Sequence, residues 1–231
     1  MASISIKAAD GSGSFAAYVA EPKQKPAGVV VLIQEIFGVN QSMRDTAAWV
    51  ADLGFIAVAP DLFWRLEPGV DITDKTEAEW KKAFDLMNRF DQQKGIADLK
   101  ATVAHARTMP GSNGKVGTMG YCLGGRLAFM MAEQSDADVN ISYYGVGLDG
   151  LLGDLNKVRK PLVVHIADQD EFFPAEGRTK VIEACKGHPH IACYTYPAGH
   201  AFARMNGVHW HGLSAAIANG RSAEALAKAL G

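Results

Sequence analysis

The sequence feature that most constrains the fold is a cysteine bracketed by glycines, Cys122 in the pentapeptide Gly120–Gly124, which has the pattern G-x-C-x-G. A β-rich segment, Lys115–Met119, precedes it, and an apolar helix-forming segment, Leu127–Ala132, follows it. Glycines on both sides allow a strand to reverse sharply into a helix while the central side chain stands clear of the backbone. The pattern therefore predicts a strand–turn–helix unit that presents Cys122. The alternative is a tight turn around a small buried thiol.

Length, composition and charge limit the class of protein. The 231 residues, 48% of them apolar, predict a globular chain that folds as one domain over residues 1–231. A net charge of -2 without a basic cluster argues against nucleic acid as a partner. The sequence contains no run long enough to span a membrane, no signal-peptide pattern in Met1–Lys7, and three scattered cysteines. We therefore expect a cytoplasmic protein that binds no membrane and is a monomer, or at most a weak dimer.

The order of predicted elements indicates an α/β fold. An antiparallel hairpin is predicted from Ser3–Lys7 and Phe15–Ala20, and Leu62–Thr73 is predicted as a loop excursion. Further strands are predicted at Gly28–Ile33, Phe55–Ala59, Val139–Tyr144, Pro161–Ala167 and Ile191–Tyr196. Helices are predicted up to Leu53, at Thr76–Phe90, Ile96–Thr108, Pro174–Lys186, Val208–Asn219 and Arg221–Leu230. This alternation predicts a mostly parallel central sheet with helices on both faces and the hairpin at its N-terminal edge.

Residue types suited to nucleophilic catalysis follow the predicted strands. A sheet of this kind binds its substrate beyond the carboxyl ends of its strands, which is where Cys122 would lie. His200 follows the last strand, and histidine is the side chain best able to take and return a proton near pH 7. Asp168 and Asp170 follow an earlier strand, and a carboxylate there could orient the imidazole. The pattern alone does not choose between these two acids, and a surface-loop histidine remains the alternative for His200.

The segment after the first buried strand supplies further candidates. Glu35 comes directly after this strand and could accept the hydrogen bond of the Cys122 thiol, or it could be a loop charge. In enzymes where a strand–turn–helix unit presents the nucleophile at the edge of such a sheet, two backbone N–H groups form the oxyanion hole. One belongs to the residue after the nucleophile, and the other belongs to the loop after an early strand. By position, those donors would belong to Leu123 and Ile36.

Six stretches together resemble the dienelactone hydrolase family, the carboxymethylenebutenolidases of the α/β-hydrolase fold. They are Gln34–Asn40, Ser112–Gly117, Gly120–Gly125, Tyr143–Leu148, Gln169–Asp170 with Pro174, and Ala198–Arg204. The likeness extends from about Ser3 to Leu230. Its most specific motifs are Glu-Ile-Phe-Gly, which begins at Glu35, and Gly-Tyr-Cys-Leu-Gly-Gly, which surrounds Cys122.

The resemblance implies a triad of Cys122, His200 and Asp170, with Glu35 as a fourth participant that pairs with the resting thiol. It implies that the thiolate opens an enol-lactone and that water hydrolyses the resulting thioester to a dicarboxylate of the maleylacetate type. The implied partner is a small lactone or ester substrate, with no metal and no organic cofactor.

Two positions bear on the substrate. Arg204 matches an arginine that the family uses to bind the carboxylate of its substrate. Trp80 stands where the second such arginine is expected, so it becomes a predicted substrate-binding residue of a different kind. The alternative is therefore a lactone or ester that carries less negative charge.

Two other classes of protein remain as rivals. Gly145–Gly150 fits G-x-G-x-x-G and would suit a dinucleotide-binding oxidoreductase, although little room is left for a helix before Pro161. A non-catalytic ligand-binding protein could share the fold and keep an inert thiol. The paired histidines at 188 and 190 and at 209 and 211 lack an acid at ligand spacing, so we predict no metal site there.

Overall fold

A computed structural model describes residues 2–231 and shows one eight-stranded sheet flanked by helices. The strands are β1 (Ala2–Lys7), β2 (Ser14–Ala20), β3 (Ala27–Ile33), β4 (Ile56–Pro60), β5 (Ser112–Tyr121), β6 (Val139–Tyr143), β7 (Leu162–Ala167) and β8 (Ile191–Tyr196). The α-helices are α1 (Gln41–Asp52), α2 (Glu77–Arg89), α3 (Gln92–Thr108), α4 (Leu123–Gln134), α5 (Ala175–Cys185) and α6 (Gly212–Leu230), and a 3-10 helix covers Leu148–Lys157.

The strand order is β1-β2-β4-β3-β5-β6-β7-β8. β1 pairs with β2, and β2 with β4, in antiparallel fashion. The other six strands, which lie in the order β4, β3, β5, β6, β7, β8, run parallel to one another. The predicted N-terminal hairpin and mostly parallel sheet are therefore confirmed. Because β3, β5, β6, β7 and β8 end at the same edge, the residues that follow them meet there.

Both faces of the sheet are covered, as predicted. Successive side chains of a strand point to opposite faces, so Val31 packs in one apolar cluster and Val30 in the other. α2, α3 and α4 supply the first cluster, and α1 and α6 supply the second. Burial of both faces explains why β3 is apolar along its whole length.

The C-terminal helical region corrects one prediction. Val208–Asn219 and Arg221–Leu230 were predicted as two helices, but α6 is continuous through Gly220. An interior glycine costs about 1 kcal/mol relative to alanine. Ala218 and Leu226, on the two sides of this glycine, pack in the same cluster, and this shared burial favours one helix. Within residues 2–231 no helix combines the length and the apolar character that a membrane span requires.

The segment between β4 and α2 forms the predicted excursion and packs against the loop after β3. Asp61 organises it by accepting hydrogen bonds from the backbone of Phe63 and Gly69 (3.0 and 2.7 Å). Gly38 pairs with Asp71 across this contact, and a Cβ atom on Gly38 would collide with the backbone of Val70. This close contact brings the end of the excursion to the same edge as the strand ends.

Candidate active site

Cys122 is the only residue between β5 and α4, and its backbone is strained. Its φ of 55° and ψ of -114° are rare for a residue with a side chain. A Cβ atom on Gly120 would collide with the backbone oxygen of Gly124, and one on Gly124 would collide with that of Ile33. The Cys122 N–H donates to the carbonyl of Tyr143 (3.0 Å), which anchors the turn. The glycines of the motif are therefore required by the close approach of three backbone segments.

His200 follows β8 and lies against Asp170. His200 Nδ1 and Asp170 Oδ2 are 2.8 Å apart, and both side chains are almost completely buried. Asp170 Oδ1 accepts a hydrogen bond from the N–H of Phe172 (2.9 Å), which fixes the carboxylate. Asp168, in contrast, is exposed. Of the two acids that the sequence pattern left open, Asp170 is therefore the one that contacts His200.

The protonation of His200 depends on Cys122. Burial by itself would lower the pKa of the imidazole, but the charge of Cys122, together with hydrogen bonds to Asp170 and Cys122, raises the pKa of His200 to about 10. The ring also packs edge-on against Tyr144 and Phe172, with centroids 5.2 and 5.0 Å away. A thiolate at Cys122 therefore has an imidazolium as its neighbour.

Glu35 lies in a second buried ionic cluster instead of bonding to the thiol. Arg204 Nε donates to Glu35 Oε2 (2.5 Å), and Arg204 Nη1 donates to Asp74 Oδ2 (2.6 Å). The guanidinium also sits over the ring of Phe37, 4.8 Å from its centroid. Burial acts to lower the pKa of Arg204, but the charge of Glu35, the hydrogen bond to Glu35 and the charges of Tyr144 and Asp74 together outweigh burial and raise this pKa. Within residues 2–231, Glu35 Oε1 is buried and has no hydrogen-bond partner.

The predicted backbone donors belong to the first residue of α4 and to a residue in the loop after β3. Leu123 is the first residue of α4, so its N–H has no acceptor within the helix. Ile36 lines the same cavity as Cys122. The positive end of the α4 dipole adds to the attraction for an oxyanion at this point.

A cavity of about 190 Å³ opens onto these groups. It is lined by Ile36, Phe37, Trp80, Phe84, Met87, Cys122, Val146, Phe172, His200 and Arg204. Trp80 stacks on Phe84 and Phe172, with ring centroids 5.5 and 6.4 Å apart. Most of the lining side chains are therefore apolar, and the exceptions are His200, Arg204 and the thiol of Cys122.

Comparison with known proteins supplies the class to which this arrangement belongs. The model of the dienelactone hydrolase family matches residues 15–230. The chain belongs to the dienelactone hydrolase family. A carboxymethylenebutenolidase of Pseudomonas putida is 42% identical, with 97% of this chain and 95% of the relative covered. Carboxymethylenebutenolidase 1 of Cupriavidus pinatubonensis is 37% identical, with 93% and 92% covered.

Solved structures agree on the fold. A dienelactone hydrolase of Anabaena variabilis is 17% identical, covers 100% of this chain and 98% of its own, and superposes with a TM-score of 0.71. A dienelactone hydrolase-like phosphotriesterase from metagenomic libraries gives a TM-score of 0.75 at 19% identity, with 100% and 99% covered. The predicted α/β-hydrolase fold is confirmed, and the chain is a hydrolase of esters or lactones.

Two residues of this dienelactone hydrolase family member were not assigned a role from the sequence. Asp74 gave no signal beyond an acid shortly before α2, because its partner Arg204 is 130 residues away. Tyr144 follows β6, and within the described chain its hydroxyl is buried without a hydrogen-bond partner. Burial raises the pKa of Tyr144 well above its usual value, and the charges of Glu35 and Cys122 raise it further. Both charged groups therefore act on this one ring.

The structure disfavours the dinucleotide hypothesis. After β6 the G-x-G-x-x-G segment enters the 3-10 helix Leu148–Lys157 instead of an α-helix, whose N-terminus would bind a pyrophosphate. Among residues 2–231, no three histidine, cysteine or acidic side chains converge in a way that could hold a metal ion.

Proposed function

We propose that this hydrolase cleaves an enol-lactone or an activated ester through a thioester on Cys122. The observation that carries the proposal is that His200 is hydrogen bonded to Asp170 and interacts with Cys122, and that Cys122 and His200 both line the cavity. The names of the relatives support an enol-lactone, because carboxymethylenebutenolidases are named for opening one.

In the first half of the reaction, the Cys122 thiolate adds to the carbonyl carbon of the substrate. The N–H groups of Leu123 and Ile36 donate hydrogen bonds to the oxyanion that forms. When this intermediate collapses, the bond between carbonyl carbon and leaving oxygen breaks, and the leaving oxygen takes a proton from the His200 imidazolium. A thioester at Cys122 and a neutral imidazole remain.

Water completes the cycle. It gives one proton to His200 and adds its oxygen to the thioester carbonyl, and the carbon–sulfur bond then breaks. The products are the free acid, the Cys122 thiolate and the His200 imidazolium, and the charge of Cys122 helps to raise the pKa of this imidazolium. Asp170 holds the ring in position throughout, because its hydrogen bond to Nδ1 does not involve the reacting atoms.

Glu35 is the fourth participant in this proposal. Oε2 stays bound to Arg204, while Oε1, which has no hydrogen-bond partner within residues 2–231, can accept a hydrogen bond from Cys122 whenever the sulfur is protonated and releases it when the thiolate–imidazolium pair forms. An unpartnered buried carboxylate oxygen costs stability, which is consistent with a catalytic role for this atom.

The test is to measure ester and lactone hydrolysis by the wild type, by Cys122→Ala and by Cys185→Ala, a matched control because Cys185 is a buried thiol elsewhere in the fold. We expect Cys122→Ala to lose at least about four orders of magnitude in kcat while its circular dichroism is unchanged. Cys185→Ala should keep activity within a few-fold. Substantial turnover by folded Cys122→Ala would contradict the proposal.

A further inference from the structure

We propose that this active site selects neutral substrates with a flat apolar group, and that Asp74 sets this preference by neutralising Arg204. The inference rests on the proposed hydrolase function and narrows it to uncharged esters and lactones, which differ from the carboxyl-bearing lactone for which the relatives are named. Asp74 does not line the cavity, so it acts through Arg204 as a specificity-determining residue.

The charge balance of the site disfavours an anion. Among the described residues that line the cavity, Arg204 is the only lysine or arginine, and the imidazolium of His200 is already balanced by Asp170 and by the thiolate of Cys122. Its guanidinium is bound by the carboxylates of both Glu35 and Asp74, so this trio has a net negative charge. All three side chains are about 96% buried, and charges act strongly there because water screens them little. A substrate carboxylate would have to compete with two carboxylates that already hold the cation.

The walls of the cavity favour an apolar ring. Phe84 and Phe172 are 36% and 44% exposed, although they flank Trp80 at the cavity. Aromatic side chains left exposed beside a cavity are typical of a ligand-binding surface. The volume of about 190 Å³ is comparable with the cavity of about 150 Å³ that takes up benzene in another protein. A flat ring would therefore fill the cavity and cover these side chains.

Asp74 connects the charge balance to the aromatic wall. Its carboxylate accepts hydrogen bonds from Arg204 Nη1 (2.6 Å) and from the N–H of Val208 (3.2 Å). Its backbone carbonyl accepts a hydrogen bond from Nε1 of Trp80 (3.0 Å), which fixes the orientation of the indole. Asp74 thus neutralises the Arg204 cation and also holds the Trp80 ring against which the substrate would pack.

The test compares two aryl acetates of the same shape, the neutral 3-acetoxybenzamide and the anionic 3-acetoxybenzoate, by following release of the phenol, with each rate divided by the rate of hydroxide-catalysed hydrolysis of the same ester. We expect wild-type kcat/KM to favour the amide by at least about tenfold, since one unfavourable buried charge costs more than the 1.4 kcal/mol that a factor of ten represents. Asp74→Asn should narrow this ratio at least about fivefold, mainly by lowering KM for the benzoate. The isosteric control Asp71→Asn removes a charge from the same loop, but from an exposed pair with Arg44, and should leave the ratio unchanged.

The proposal is overturned if the wild type prefers the benzoate, or if folded Asp74→Asn keeps the wild-type ratio. Should Asp74→Asn fail to fold, Trp80→Arg is the second variant, and the added cation should raise benzoate turnover at least about fivefold relative to the amide; an unchanged ratio would count against the proposal. Failure of the hydrolase function itself is distinguishable. It would show as hydrolysis of 3-acetoxybenzamide that persists in Cys122→Ala. If hydrolysis depends on Cys122 but kcat/KM is higher for the benzoate, only the proposed substrate preference is overturned.

Discussion

Two buried histidines of this protein have opposite electrostatic environments. His200 and His165 are 3% and 0% exposed, and the ring of each is hydrogen bonded. Burial and the charge of Arg221 lower the pKa of His165 to about 3, whereas the pKa of His200 is raised to about 10. The partners explain the difference. His165 contacts the hydroxyls of Tyr196 and Ser222 at 2.8 and 3.0 Å, which carry no charge to offset the loss of water.

The comparison shows that burial alone does not mark a catalytic histidine. Burial acts against the imidazolium at both positions, and at His200 the charges of Cys122 and Asp170, together with their hydrogen bonds to the ring, outweigh burial. Position agrees with this distinction, because His165 lies inside β7 while His200 lies beyond the end of β8 and lines the cavity.

The largest expected contrast is in activity. His200→Gln should lower kcat by about three orders of magnitude or more, because it removes the group that moves the proton in both half-reactions. His165→Gln should change kcat by no more than a few-fold in protein that remains folded. Steady-state kinetics of the two purified variants checks this, and equal losses would show that the two histidines do not differ in role.

The second contrast is in the protonation of the rings. Nuclear magnetic resonance of 15N-labelled histidine should show His165 neutral from pH 5 to pH 9 and His200 protonated through neutral pH. Asp170→Asn and Cys122→Ala should each lower the pKa of His200, since each removes a group that raises it. A His200 signal that titrates near its ordinary value in the wild type would contradict the proposed ion pair.

The third contrast is in stability against pH. His165 is neutral in the folded state, while its pKa in the unfolded state is near 6.5. The free energy of unfolding therefore decreases as pH falls from about 6.5 toward about 3, because only the unfolded state binds this proton. His200 has the opposite sign, and its contribution is lost as pH rises from about 6.5 through about 10. Urea unfolding at several pH values should show a smaller decrease in the free energy of unfolding below pH 6.5 for His165→Gln than for the wild type, by on the order of a few kcal/mol. An unchanged acid-side slope would argue against the low pKa of His165.

The smallest effect is expected for Tyr196→Phe. This change removes the hydroxyl that bonds to His165 and should lower the free energy of unfolding by about 1 kcal/mol. It should leave kcat unchanged. Loss of activity would mean that the network around His165 is coupled to the active site.

The parts of the site that depend on local pattern were predictable from the sequence. Glycines that permit a sharp turn, an apolar strand before Cys122 and a helix-forming segment after it are all local features, and the structure joins them at the elbow. His200 was a candidate because it directly follows a strand, and that position identifies the sheet edge on which it lies.

The remaining parts depend on contacts between distant residues. Asp74 lies in an irregular loop, where no periodicity predicts which way a side chain points, and its pairing with Arg204 exists only in the folded chain. The exposed Asp168 and the buried Asp170 are distinguished by the contact of Asp170 with His200, 30 residues away, and not by their local sequence. The continuity of α6 likewise depends on the surface against which it packs.

Trapping the covalent intermediate tests most directly whether Cys122 carries the acyl group. A reaction with excess activated ester should be quenched in acid within the first turnover and analysed by peptide mass spectrometry. The mechanism predicts one acyl group on the peptide that contains Cys122, and none on the same peptide from Cys122→Ala. An acyl group on a different residue, with hydrolysis intact in Cys122→Ala, would contradict it.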